Sequence, residues 1–423
     1  MPPITTTSTT MTTRQPGDGA IRGAARRLIW RGRIVSYRAP ERSRAGTRGR
    51  GCEMILDQTE FGFLEQLLRL RTTHEPEHAA EHERCRELVV REAERRGLRT
   101  RTVASDPFPS LLVGTKPEEK APRVLLAAHL DVVPAGEQQF APRVEGSRLK
   151  ARGASDMKFA APLFLKALAD LAPGERDGVL VAFTFDEEIG GNRGTRFLLD
   201  DDGLRPGVAF IPDGGDNFQL EADEKGVLQF RVRTTGKAAH GSRPWLGENA
   251  IDKFLAIYAD LRREFPVVDG PGTWGPTLNL GKMTAGAAAN QVPDACEALL
   301  DVRFVETTTL AETTAQVERI VGGRGEFAPI VAGDLFHLDR DGAVCRRIQA
   351  ASRKHRDGRE LAYYRSEGAS DARFFTKYGI PVVLTKPVCA GHHSVDEWID
   401  LESLEPYYRM MLEFVRASLE GRE

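Results

Sequence analysis

Three apolar runs in this chain end in residues that can do acid–base or metal chemistry. LLAAHLD closes with His129 and Asp131, AFTFDEE with Asp186, Glu187 and Glu188, and AFIPD with Asp213. A carboxylate at the end of a buried strand is costly unless it is paired or bound to a cation. Any one of these residues also reads as a strand end facing solvent or a helix N-terminus. Gathered on one edge, several acids would repel one another, and a pair of divalent cations would remove that cost. Two further segments hold candidates of the same kind. In ARGASDMKFA, Asp156 either caps the helix-like run that follows or bridges metal ions at the same edge. In HHSVDEWIDL the adjacent His392 and His393 sit on a short polar turn, where either could be a metal ligand.

Competing motifs are weaker. HEPEHAAEHERC contains His78, Glu81 and His82 in H-x-x-E-H spacing, which on a helix puts both histidines on one face. Its dense charge favours a solvated surface helix. The chain contains no G-x-S-x-G elbow, no Walker-type G-x-x-x-x-G-K and no G-x-G-x-x-G at a strand–helix junction.

The elements that must hold these residues alternate from Leu64 onward. Residues 110–115, 123–133, 178–188 and 207–215 read as short buried strands, with helices near 157–171 and 193–201. That order predicts a mostly parallel sheet flanked by helices, and ligands bind at the C-terminal edge of such sheets. After Asp213 the pattern changes. Residues 227–236 alternate as a strand buried on one face does; a helix near 247–265, strands at 277–282 and 298–306 and a helix at 309–321 complete a compact α+β insert. A helix at 342–355, a strand at 381–387 and a helix at 401–418 resume the first domain.

With 423 residues the chain exceeds the size at which single cores stop growing, so two domains are expected. The boundaries fall at 54–220 with 335–423 for the first and 221–334 for the second. Residues 1–53 differ: a Thr-rich start and eleven arginines against three acids cannot build a core. They read as a disordered basic tail, an Arg-rich transit peptide or sequence upstream of a start at Met54, the last being favoured. Elsewhere, 41% hydrophobic and 28% charged residues with a net charge of -2 describe an ordinary globular protein with no basic excess for nucleic acid. No apolar run approaches the length that spans a bilayer. Five scattered cysteines without a C-x-x-C pair favour a reducing cytoplasm.

In order, HLDVVP, RGASDMK, DEEIGG, PDGG, GKAAHGSRPWLGENAI, NQVPDACEALLDVR and HHSVDE resemble the dinuclear-zinc amidohydrolase family of glutamate carboxypeptidase, succinyl-diaminopimelate desuccinylase, acetylornithine deacetylase, aminoacylase and carnosine-type dipeptidases. The match runs from about residue 60 to the C-terminus. The resemblance implies a zinc-exopeptidase α/β fold whose insert is a lid and dimerisation domain. It implies two divalent ions, zinc before cobalt or manganese: His129 and Asp213 on one, Glu188 and His393 on the other, with Asp156 bridging. Asp131 would orient the His129 imidazole, and Glu187 would be the general base. His393 rather than His392 matches the family's last histidine, because Glu397 follows it by four residues; His392 then reads as a turn histidine.

By the same resemblance, His240 of the insert would donate to the oxyanion, often across a homodimer. Arg303 and Asn290 would meet the substrate carboxylate and carbonyl, and the Gly-rich EGASDARFF would place Gly368 and Ser370 near the substrate. Arg303 also reads as one half of a strand-face salt bridge, and Ser370 with Asp371 as caps of the following helix. Two positions depart from the family pattern. Phe159 and Ala160 stand where relatives often carry glycine, and Asp213 stands where many deacylases carry Glu, as in the dipeptidases. The expected activity is hydrolysis of an amide in a small carboxylate-bearing molecule, with N-acyl amino acids and dipeptides nearly level. A non-catalytic binding relative is the rival class, opposed by the complete ligand set and Glu187.

Overall fold

The structure, a computed structural model, describes residues 26–30 and 33–37 as backbone, and residues 55–266, 270 and 273–421 in full. The chain divides into a unit of Met1–Cys52 and a unit of Glu53–Glu423. In the first unit Arg26–Trp30 pairs antiparallel with Arg33–Tyr37. The remaining residues of the expected N-terminal extension lie outside the described ones.

In the second unit, four strands form the parallel centre of a nine-stranded sheet. Val179–Thr184, Val124–His129, Val208–Ile211 and Val382–Leu384 lie side by side in that order, all running the same way. Each is a short apolar run buried along its whole length, as strands covered on both faces must be. Ser110–Gly114, expected as one of the parallel set, instead runs antiparallel to Val179–Thr184. Only a short loop, without a crossover helix, separates it from Val124–His129, and a parallel neighbour would need such a helix. Arg99–Val103 extends this edge antiparallel. On the other side Gln219–Glu224 pairs antiparallel with Val382–Leu384 and parallel with Ala362–Ser366. The helices Gln58–Arg69, Ala79–Arg95, Ala160–Asp170, Ala343–His355 and Leu404–Glu420 each bury one face toward this core.

A second core, built from residues 226–333, has its own sheet. Thr277–Ala285, Ala295–Phe304, Gly226–Thr235 and Glu326–Gly333 form four antiparallel strands. Leu228, Phe230 and Val232 alternate inward against Phe254, Ile257 and Leu261 of the helix Ala250–Glu264. Asn249 caps that helix by accepting the Ile251 N–H at 2.9 Å. A third, small antiparallel sheet joins Arg143–Glu145, Arg148–Lys150, Trp398–Asp400 and Cys389–Ala390. Its last two strands flank residues 391–397, so the two adjacent histidines sit on a hairpin tip.

A candidate metal centre at the strand ends

Local folding first fixes where the site side chains can be. His129 is the last residue of its strand, Glu187 and Glu188 follow Val179–Thr184, and Asp213 follows Val208–Ile211. Three parallel strands thus deliver their charges to one edge. Asp156 lies in the turn before Ala160–Asp170 and does not cap it; the cap position is Phe159, which makes no side-chain cap bond. His393 adopts φ +59°, uncommon for a side-chain-bearing residue. It follows Gly391 at φ +77°, where a Cβ would stand 2.5 Å from the Asp396 carbonyl oxygen, so that position admits only glycine.

These residues meet in two groups that share one carboxylate. His129 Nε2 lies 3.2 Å from Asp156 Oδ1 and 3.9 Å from Asp213 Oδ1. His393 Nε2 lies 3.2 Å from Asp156 Oδ2 and 3.0 Å from Glu188 Oε2. In each trio the ligand atoms lie within 4.8 Å of one another. Asp156 therefore turns one oxygen to each group. His129 Nδ1 lies 3.0 Å from the Asp131 carbonyl oxygen and 3.5 Å from its carboxylate, so the carbonyl is the nearer acceptor of a proton on Nδ1. That bond leaves Nε2 free to face the carboxylates. The Asp131 carboxylate accepts the Glu188 N–H at 3.0 Å, and the Glu188 carboxylate accepts the Val133 N–H at 3.2 Å.

The electrostatics fit cations. Burial pushes the His129 imidazole toward neutrality, yet Asp131, Asp156 and Asp213 overcome it and raise its pKa well above the ordinary value. Asp156 and Glu188 raise that of His393 to about 10. Imidazoles that carboxylates hold this firmly call for positive charge at their nitrogens. Two imidazoles with three carboxylates make a donor set suited to borderline divalent metals such as zinc. Glu187 lines a narrow cavity with His129, Asp213, Thr195 and Asp371. Burial first, then Asp213, Asp371 and Glu188, raise its pKa well above that of a free carboxylate, which suits proton transfer.

The structure does not bring the remaining expected residues into this cluster. His240 is exposed on the short strand Ala239–His240, with Nδ1 2.8 Å from Ser242 Oγ. The Asn290 carbonyl accepts the Gly241 N–H at 2.7 Å beside it. Neither side chain bonds to the metal-site residues. Arg303 makes the strand-face pair, its Nε 2.8 Å from Asp301 Oδ1. Ser370 donates its hydroxyl to Glu224 at 2.6 Å and accepts the Ala372 N–H at 3.2 Å, and Gly368 donates to Ser366 Oγ at 3.1 Å. His392 faces Asp216 at 3.5 Å.

The H-x-x-E-H helix is corrected in one respect: Ala79–Arg95 is not solvated all round, since His82, Cys85, Val89 and Ala93 are buried. His78 Nδ1 lies 2.6 Å from Thr73 Oγ1 and His82 Nε2 lies 2.9 Å from the Thr73 carbonyl. Among the described residues the pair belongs to no metal-like group. Sequence reasoning passed over Asp371, Glu224 and Lys386 as site residues. Lys386 carries the same signal as the others, a charged residue just after a buried strand.

Residues 125–417 match the model for peptidase family M20/M25/M40. A succinyl-diaminopimelate desuccinylase of Novosphingobium aromaticivorans is 30% identical over 319 residues, covering 72% of this chain and 84% of the relative. Among solved structures, the aminopeptidase PepT from Bacillus cereus superposes with a TM-score of 0.67 at 17% identity, over 86% of this chain and 99% of that one. A family M20 metallo-carboxypeptidase from Sulfolobus solfataricus gives 0.66 at 16% identity, over 86% and 100%.

Proposed function

The chain belongs to peptidase family M20/M25/M40 and is a metal-dependent amidohydrolase, and from that premise we propose that it cleaves N-acyl amino acids or dipeptides carrying a free carboxylate. The observation that carries the reading is Asp156, whose two oxygens serve two histidine–carboxylate groups at once. His129, Asp156 and Asp213 would hold one ion, and Asp156, Glu188 and His393 the other, with zinc favoured by the donor set. Two such ions supply Lewis acidity toward the amide carbonyl and make water more acidic.

The chain's own residues supply the rest. Glu187 takes a proton from the attacking water and returns it to the leaving nitrogen. Its position beside His129 and Asp213 in a narrow cavity supports that role. Asp131 fixes His129 through its carbonyl and positions Glu188 through its carboxylate. The core of residues 226–333 acts as the lid and dimerisation domain, which brings His240 to the carbonyl oxygen on closure, from the same subunit or from a homodimer partner. Asn290 lies beside His240 and would contact the substrate carbonyl; Arg303, released from Asp301, would bind its carboxylate. Gly368 and Ser370 line the approach. The described cysteines Cys85, Cys296, Cys345 and Cys389 are free and buried, which supports a cytoplasmic location. No helix among the described residues is long and apolar enough to cross a membrane.

The substrate is tested by offering the zinc-loaded protein N-succinyl amino acids, N-acetyl amino acids and dipeptides, with carboxamide versions of each. The reading requires turnover in at least one series and its loss when the free carboxylate is amidated. Equal turnover of acid and carboxamide would contradict carboxylate recognition.

A further inference from the structure

All four parallel strands deliver charge to the site edge, and one of those charges is positive. Lys386 follows Val382–Leu384 as Asp213 follows Val208–Ile211. The residue is only 3% exposed. Its backbone is pinned to the segment after Asp213: its N–H donates to the Gly215 carbonyl at 3.0 Å, and its carbonyl accepts the Phe218 N–H at 2.9 Å. From this fixed base Nζ reaches to 3.5 Å from Asp156 Oδ1 and 3.4 Å from Asp213 Oδ1. Those are the same two oxygens that face His129 Nε2. The second group is different. Among the described residues the only charged side chain paired with Glu188 is His393, and Asp156 turns its other oxygen toward that imidazole.

We infer that Lys386 is a built-in counter-cation that competes with the metal ion at the His129–Asp156–Asp213 site, so that this site binds more weakly and fills second. The inference rests on the dinuclear reading above. A divalent ion there must share two carboxylate oxygens with a buried ammonium and sit close to a like charge, and in a buried site that repulsion is poorly screened. Conversely, before the ion arrives the ammonium offsets the mutual repulsion of Asp156 and Asp213, whose burial without a cation would be costly. The lysine thus favours the folded metal-free protein and disfavours the ion at one of two otherwise similar sites.

Zinc affinity, measured by competition with a chelating indicator, tests this in single-site proteins. His393→Ala keeps the trio of His129, Asp156 and Asp213; His129→Ala keeps the trio of Asp156, Glu188 and His393. Each retains one imidazole and two carboxylates, and the Lys386 substitutions added to each isolate the lysine's charge. His393→Ala should bind zinc at least about tenfold more weakly than His129→Ala. Adding Lys386→Met, or Lys386→Gln, to His393→Ala should recover on the order of tenfold, and adding either to His129→Ala should change binding less. In the metal-free state Lys386→Met alone should melt at a lower temperature than the wild type, with zinc narrowing the gap. Unchanged zinc affinity when Lys386→Met or Lys386→Gln joins His393→Ala would overturn the inference while leaving the metal reading intact. Absence of zinc binding in every protein would overturn both. Should the double variants fail to fold, tighter binding by His393→Ala than by His129→Ala would overturn the inference alone.

Discussion

Arg152 and Glu397 form a fully buried ion pair at 2.6 Å, and it ties the two ends of the site together. The Glu397 carboxylate also accepts the backbone N–H groups of Gly153, Ser155 and Asp156 at 3.1, 2.9 and 3.2 Å. The turn that carries Asp156 is thereby clamped to the hairpin that carries His393. Removing one partner of a buried pair leaves the other charge uncompensated, at a cost of roughly 3 to 5 kcal/mol. Glu397→Ala should lose about that much stability in urea unfolding, and should hold less metal although Glu397 is not itself a ligand. Wild-type stability would show that the clamp is dispensable.

The adjacent histidines should separate cleanly. His393→Ala removes a nitrogen that faces Asp156 and Glu188, whereas His392→Ala removes one that faces Asp216. Elemental analysis should find metal reduced in the first variant and unchanged in the second. Equal metal content in both would contradict the assignment of His393.

Metal-free protein should lose stability as pH rises from 5 to 8. Burial, opposed by bonds from Ser370, raises Glu224 to about 7. Burial, opposed by Arg373 and Thr195, raises Asp371 to about 6. Folded-state values above the ordinary carboxylate value mean that the folded chain holds protons the unfolded chain releases. That stability is complete below the unfolded carboxylate pKa and is lost as pH rises through about 6 to 7. His129 and His393, also raised, act in the same direction from their unfolded value upward. Thermal melts of chelator-treated protein should show the decline, and Glu224→Gln should flatten it. A metal-free melting temperature that climbs over this range would contradict the account.

Much of this site was legible because its residues end apolar strands. His129, Glu187, Glu188 and Asp213 each close a run whose hydrophobicity marks a buried strand, so both their placement and their cost could be read from the chain. The shared role of Asp156 and the choice of His393 needed motif resemblance, because a turn carries no periodic signal. Strands such as Gln219–Glu224 were missed since QLEADE is polar, and its acids are buried through long-range partners such as Ser370, Arg340 and Arg365. Gly191 shows the same limit: at φ +66° a Cβ would fall 2.1 Å from Asp371 Oδ1, a contact across 180 residues that no local pattern foretells.

The exposed His240 gives the proposed lid role of residues 226–333 its own test. If it donates to the developing oxyanion, His240→Ala should keep its metal and lose roughly 10²- to 10³-fold in kcat with a smaller change in KM. If the donor comes from a partner subunit, mixing His240→Ala with Glu187→Gln should restore part of the activity, because one site of each hybrid dimer is intact. No recovery after verified subunit exchange would exclude donation across subunits, and unchanged kcat in His240→Ala would remove the residue from the reaction.

Metal dependence and the base are tested together by stripping wild type and Glu187→Gln with a chelator and restoring zinc stepwise. Zinc per chain is counted at each step while hydrolysis of the best acyl-amino-acid or dipeptide substrate is followed. Both proteins should take up two zinc ions, one for each group around Asp156. Wild-type turnover should be absent without metal and return with it, while Glu187→Gln stays several orders of magnitude slower with both ions bound. Full turnover by the stripped wild type, or by metal-loaded Glu187→Gln, would contradict the account.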